Sequence, residues 1–282
     1  MVEALTATED TTAKRAEPDV RIALCQVTST PDPEANVDLV AECTQRAAER
    51  GAELAVFPEA MMACFGVPLG PVAEPLDGPW ATAVAGIAER TGVLVAAGMF
   101  TPAEDGRVRN TLLFTGGGHH IAYDKVHLFD AFGFAESATV APGDAIVVVP
   151  VGGLTIGLAT CYDVRFPELF RGLADRGADV VLLPASWGAG PGKQEQWELL
   201  VRARALDCTS WVVACGQADP VASGMIPSPK APTGIGHSMV VDPYGRVTAK
   251  LDAGPGLLVV DVDTAVVESA RREIPVLANR RL

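Results

Sequence analysis

A chain of 282 residues, 49% apolar and 20% charged, can bury a large core and is too apolar to be a disordered segment. Its 35 acidic residues outnumber 22 basic ones, and the net charge of −13 excludes the broad basic face that nucleic acid or an anionic membrane requires. No apolar run approaches the roughly 20 residues that span a bilayer, and the six cysteines, none in a C-x-x-C pair, read as reduced thiols of a cytoplasmic protein and not as a disulfide framework.

Residues 1–19 are polar and lack an apolar leader segment, so a disordered tail is expected ahead of one domain over 20–282. Strands are expected over 21–27 and 53–57. The helix between them, over 36–50, turns Val37, Val40, Ala41, Ala47 and Ala48 to the core. A helix over 80–91 leads into a strand over 93–99. Runs 108–115 and 121–125 pair as a hairpin about Gly116-Gly117-Gly118. A buried strand over 154–159 precedes a helix over 167–176, which has Pro167 in its first turn and Leu169, Phe170 and Leu173 on one face. A strand over 178–184, a helix over 194–208, strands over 211–217, 237–242, 247–251 and 257–262, and a helix over 264–272 complete the pattern. The Pro- and Gly-rich stretches 66–78, 188–193 and 219–236 read as long surface loops of the kind that line sites.

Cys161 stands where the apolar run 154–159 gives way to the amphipathic one. A cysteine there has two readings. It is a small buried hydrophobe, or a nucleophile at a strand-to-helix turn whose thiol pKa is lowered by nearby backbone N–H groups. Val56-Phe57-Pro58-Glu59 places a carboxylate where a strand leaves the sheet, the end at which open α/β sheets bind ligands. Asp124-Lys125-Val126-His127-Leu128 follows another strand. Taken singly, Glu59 reads equally as a solvated loop residue and Lys125 as a surface lysine. Competing motifs fail. Gly188 to Lys193 is not a phosphate loop, because Trp187 stands where its first glycine belongs and Gln194 where Ser or Thr belongs. Ser186 has Pro184 where a nucleophile elbow needs glycine. The four histidines show no H-E-x-x-H spacing, so no metal and no organic cofactor is expected.

Phe57-Pro58-Glu59, Asp124-Lys125-Val126-His127-Leu128 and Cys161-Tyr162-Asp163-Val164-Arg165-Phe166-Pro167-Glu168, in that order, resemble the three signatures of the nitrilase superfamily of carbon–nitrogen hydrolases. The resemblance runs from about Val20 to the C-terminus and takes in residues 197–207 and 236–245. It implies a single-domain α/β fold, an α-β-β-α sandwich of two packed sheets, and pairing of subunits into a homodimer or larger assembly. It also implies hydrolysis of a small amide, with water as the only co-reactant. The roles carry over residue by residue. Cys161 forms a thioester, splitting one difficult step into two. Glu59 moves the proton. Lys125 and the backbone N–H of Tyr162 stabilise the oxyanion. Glu136, in Phe134-Ala135-Glu136-Ser137, is the second glutamate that orients the lysine or the substrate. Asp163 and Arg165 are expected to hold the elbow by charge-assisted bonds, and His127 to be structural. Trp187, Phe65 and Phe132 are candidate pocket walls.

Residues 123–141 and the flank at Trp197 look most like the amidase branch that includes omega-amidases and deaminated-glutathione amidases. Those enzymes remove ammonia from a primary amide at the end of a small carboxylate, which calls for an Arg, a Lys or a backbone nest at the pocket mouth. The loop over 60–68 and the segment 222–234 depart from that branch. A nitrile, an N-carbamoyl amino acid, or a binding or scaffold role without turnover are the alternatives.

Overall fold

The computed structural model describes residues 20–226 and 231–281; the tail expected over 1–19 and part of the loop expected over 219–236 lie outside them. In β1 (Val20–Gln26), Ile22 and Leu24 join one apolar cluster and Ala23 and Cys25 another, as the period-2 pleat requires of a strand buried on both faces. α1 (Pro33–Glu49) begins at Asp32, whose side chain accepts the N–H of Glu34 at 3.0 Å, and Pro33 sits where no donor is needed. β2 (Leu54–Val56), α2 (Pro79–Thr91), β3 (Leu94–Pro102), β4 (Val108–Gly116) and β5 (His119–Asp124) follow. A small hairpin of β6 (Asp130–Ala131) and β7 (Phe134–Ala135) leads to the second half. This comprises β8 (Val148–Val151), β9 (Leu154–Leu158), α3 (Pro167–Asp175), β10 (Val180–Ala185), α4 (Lys193–Cys208), β11 (Trp211–Gly216), β12 (Met239–Val241) and β13 (Val247–Lys250). β14 (Gly256–Val262), α5 (Thr264–Glu273) and α6 (Val276–Asn279) close the chain.

The strands form two six-stranded sheets, ordered β14-β1-β2-β3-β4-β5 and β13-β12-β11-β10-β9-β8. Each has three parallel strands at its centre, β1-β2-β3 in one and β9-β10-β11 in the other, flanked by antiparallel partners. Ile22, Leu24, Val56, Phe114 and Tyr123 of the first sheet share a core with Ile156, Leu158, Leu182 and Val213 of the second. Helices α1 and α2 cover the other face of the first sheet through Val40, Ala47, Val84 and Ile87. Helices α3 and α4 cover the second through Leu169, Leu173, Val201 and Ala205. The architecture is the expected α-β-β-α sandwich.

Three local readings differ from expectation. β8 was not expected, because Pro150 interrupts its short run; its place at a sheet edge is where a strand tolerates proline. The strand expected over 237–242 starts only at Met239, since His237 has φ +55° and the N–H of Ser238 goes to Gln26 Oε1 at 2.8 Å. Residues 161–165 form a 3-10 turn ahead of α3. Among the described residues no helix is long and apolar enough to cross a membrane.

Candidate active site

The carboxyl ends of β2, β9 and β10 converge, and each contributes to one pocket. After β9 the chain passes Thr160 in extended conformation and turns sharply at Cys161, φ +47°. A side-chain-bearing residue at that angle is strained and persists only where its surroundings over-determine it. Asp163 supplies the constraint. Fully buried, its carboxylate accepts the N–H of Thr160 at 2.8 Å, the Tyr123 hydroxyl at 2.7 Å, the His127 N–H at 3.0 Å and His127 Nδ1 at 2.8 Å. The His127 ring stacks on Phe166, centroids 3.7 Å apart. The elbow, the end of β5 and the start of α3 are thereby locked to one carboxylate.

Arg165 does not share in this, contrary to expectation. With the Asp163 oxygens already taken by donors from other segments, Arg165 turns the other way. It donates to Gln196 Oε1 at 2.9 Å and lies over the Trp187 and Tyr162 rings at 5.3 and 5.8 Å. It lines the pocket.

Glu59 leaves β2 through Pro58 and is 1% exposed. Its Oε1 accepts Lys125 Nζ at 3.0 Å and Asn110 Nδ2 at 2.8 Å, and its Oε2 accepts the Ser186 N–H, just past β10, at 2.7 Å. Lys125, 2% exposed, follows β5, and its N–H goes to the Asn110 carbonyl at 2.8 Å. Its Nζ also reaches Glu136 Oε2 at 2.9 Å and Oε1 at 3.2 Å. Glu136, in the 3-10 turn Glu136–Ala138, further accepts Asn110 Nδ2 at 3.1 Å and the Phe129 N–H at 2.7 Å. One ammonium thus lies between two buried carboxylates. Burial works against its charge, but Glu59 and Glu136 together hold the Lys125 pKa well above the ordinary lysine value.

Cys161 adjoins this cluster in the pocket. Burial first, and the charge of Glu59 second, push its thiol pKa well up, with Lys125 opposing them. The lowered value expected from nearby N–H groups is therefore corrected. A five-residue 3-10 turn offers little dipole, and near-complete desolvation outweighs it. Burial thus favours the neutral form of the Cys161 thiol.

The pocket encloses about 530 Å³ of empty space, mouth included. Glu59, Lys125, Glu136 and Cys161 form its floor, with Phe65, Tyr162 and Trp187 among its walls. Phe132 is not among the lining residues. At the tip of the β6–β7 hairpin, with φ +55°, its ring is 80% exposed and carries Lys193 Nζ 4.0 Å from its centroid. Phe129 and Phe134, flanking that tip, line the pocket instead. Sequence reasoning also missed Asn110 and Lys193. Asn110 lies inside an ordinary strand pattern and carried no signal. Lys193 was seen only as the end of a failed phosphate loop.

A family model described as carbon–nitrogen hydrolase matches residues 21–272. The chain belongs to the carbon–nitrogen hydrolase family. Over 267 residues it is 54% identical to a Mycobacterium tuberculosis protein named Hydrolase Rv0480c, covering 93% of this chain and 95% of that one. It is 35% identical to the deaminated glutathione amidase of Escherichia coli O157:H7, covering 88% and 92% of the two chains. The crystal structure of Saccharomyces cerevisiae Nit3, a member of branch 10 of the nitrilase superfamily, superposes with a TM-score of 0.82 at 26% identity, over 94% of this chain and 97% of that one. In this carbon–nitrogen hydrolase both departing loops meet the pocket. The loop over 60–68 supplies the Phe65 wall, and 222–234 supplies Pro232, whose carbonyl accepts Ser186 Oγ at 2.7 Å.

Proposed function

We propose that this hydrolase cleaves a carboxylate-bearing primary amide through a thioester on Cys161, releasing ammonia. The observation that carries the reading is the Glu59–Lys125–Glu136 cluster buried against a thiol on a strained elbow. The neutral thiol makes attack and proton transfer one event. As Sγ bonds to the carbonyl carbon, its proton passes to Glu59 Oε2, the oxygen that accepts the Ser186 N–H and not the Lys125 ammonium. The carbonyl oxygen becomes an oxyanion that Lys125 Nζ and the Tyr162 N–H stabilise. The C–N bond then breaks, the departing nitrogen takes the proton from Glu59, and ammonia leaves a thioester. Water, deprotonated by Glu59, adds to the thioester carbon. Collapse breaks the C–S bond, releases the carboxylic acid and returns the proton to Sγ.

For the substrate carboxylate, Arg165 and Lys193 are the fitting partners. Both line the pocket, and neither is ion-paired among the described residues. Burial and then the Arg165 charge hold the Lys193 pKa below its ordinary value, so an anion between the two cations relieves a repulsion. A bidentate guanidinium contact is worth about 1.5–3 kcal/mol. Arg165→Ala therefore raises KM for a carboxylate-bearing amide by roughly tenfold to a hundredfold and leaves KM for an uncharged amide of equal length unchanged. Six unpaired thiols agree with a reducing, cytoplasmic setting. A homodimer or larger assembly is expected, and light scattering on the purified chain checks it.

The test is ammonia release from a panel of small amides, among them alpha-keto amides such as deaminated glutathione and 2-oxoglutaramate, with Cys161→Ala as control. Release by the parent that vanishes in C161A supports the reading. Turnover only of nitriles or N-carbamoyl compounds replaces the substrate class, and silence with every class, in a folded protein, leaves a binding protein.

A further inference from the structure

Two buried carboxylates facing one ammonium leave a surplus negative charge, and the donors that balance it decide which carboxylate holds a proton. Lys125 supplies three N–H groups. If one goes to Glu59 and one is shared by the two oxygens of Glu136, the third stays free for a substrate oxygen. That economy needs a second donor for the remaining carboxylate lone pairs, and Asn110 is placed to be it. Its side chain, 1% exposed on β4, reaches Glu59 Oε1 at 2.8 Å and Glu136 Oε1 at 3.1 Å from the same Nδ2, which carries two hydrogens. Its carbonyl accepts the Lys125 N–H. One residue therefore bonds both carboxylates through its side chain and the Lys125 main chain through its backbone carbonyl, and its nitrogen, facing two carboxylates, adds no charge.

We propose that Asn110 is a positioning residue for amide hydrolysis: it divides its two amide hydrogens between Glu59 and Glu136, holding Glu59 in place as the base and leaving one Lys125 N–H free for the oxyanion. This rests on the reading of Cys161 and Glu59 as nucleophile and base. Asn110 itself touches no reacting atom. A neutral donor is required at this point. A carboxylate would put a third negative charge against one ammonium, and a hydrocarbon would leave lone pairs that draw the lysine away.

The test compares the pH dependence of kcat/KM for the parent, Asn110→Asp and Asn110→Leu, beside Cys161→Ala, with thermal melts to show that each variant folds. In N110D three carboxylates share one lysine, so the cluster keeps a proton to higher pH, and the acidic limb of kcat/KM moves up. N110L loses donors without adding charge. Its limb moves up less, and its kcat falls by about tenfold to a hundredfold. A role in packing alone lowers stability or kcat and leaves the limb where it was. If C161A is inactive while both variants keep the parent's limb and kcat, Asn110 has no such role and the hydrolase reading stands. If C161A retains activity, the reading beneath the proposal falls instead. Should N110D not fold, the proposal is decided by N110L together with the rate of Cys161 alkylation by iodoacetamide against pH. This readout needs no substrate, and an unchanged midpoint with unchanged kcat overturns the proposal.

Discussion

A buried thiol next to a carboxylate becomes a nucleophile only as its proton departs, so in the proposed mechanism the reactivity of Cys161 is tied to Glu59 and not to the local field of a helix. Glu59→Gln keeps the shape and removes the base. Its kcat is expected to fall about 10²- to 10⁴-fold, measured as ammonia release, with Cys161 still present to titration by a thiol reagent in denaturant. Lys125→Met strands two buried carboxylates without their cation. Breaking a buried ion cluster from one side costs about 3–5 kcal/mol, and a denaturant melt reads it. The thiols also set a limit on alkaline stability. Burial lifts Cys208 to about 11 and pushes Cys25, Cys161 and Cys215 well above the ordinary thiol value. A thiol whose pKa rises on folding holds its proton more tightly when folded. Its contribution is complete below the unfolded value and is lost as pH climbs from there toward the folded one. Melting temperature should therefore stay level at neutral pH and decline above about pH 9, the ordinary thiol range. A flat profile to pH 10.5 contradicts this. At this scale the sequence was legible where a residue type is chemically committed, as Cys161, Glu59 and Lys125 are. It was opaque at Asn110 and Arg165, because a neutral amide in a strand and an arginine near a turn have many uses.

The elements act on the site through a few close approaches. Gly98 on β3 is one. A Cβ there would lie 2.5 Å from the Ala60 nitrogen and 2.9 Å from the Glu59 Cα, so nothing larger than hydrogen fits against the segment that carries the base. Gly98→Ala must push that segment outward. Since a displacement of about 1 Å can cost 10²-fold in rate, kcat should fall by that order while the melt shifts by only about 1–3 kcal/mol. Loss of stability without loss of kcat would show that the segment relaxes without moving Glu59. The hairpin β6–β7 shows why the wall Phe132 was misjudged. Its neighbours Phe129 and Phe134 line the pocket, and the positive φ at the tip turns Phe132 to solvent. Three phenylalanines in a short run, Phe129, Phe132 and Phe134, signal a wall, but only the hairpin's register says which of them is part of it.

Across the whole molecule the two sheets stand on one shared core, and the site lies where that core meets the strand ends. Phe114 on the first sheet is fully buried in the cluster that includes Leu158 and Leu182 of the second. Phe114→Ala should cost about 3–5 kcal/mol and lower the melting point of both sheets together, visible as one transition in far-UV dichroism and in tryptophan fluorescence. Two separate transitions would mean that the sheets fold as independent units. The same core explains the low charge content noted at the outset: strands buried on both faces leave few positions for charged side chains.

From the chain alone, the alternation of strands and helices already read as α/β, because periodicity is a local property, and the resemblance of three signature motifs implied the α-β-β-α sandwich of a carbon–nitrogen hydrolase. Tertiary structure decided the rest. It pushed the Cys161 thiol pKa up where nearby backbone N–H groups were expected to lower it, since burial is a property of the packed whole. It gave Asp163, and not Arg165, the elbow. It brought Glu59 and Glu136, far apart in sequence, each within about 3 Å of Lys125 Nζ and of Asn110 Nδ2. Charges and donors at that range set each other's protonation, and no reading of neighbours along the chain can supply distances between strands of a sheet.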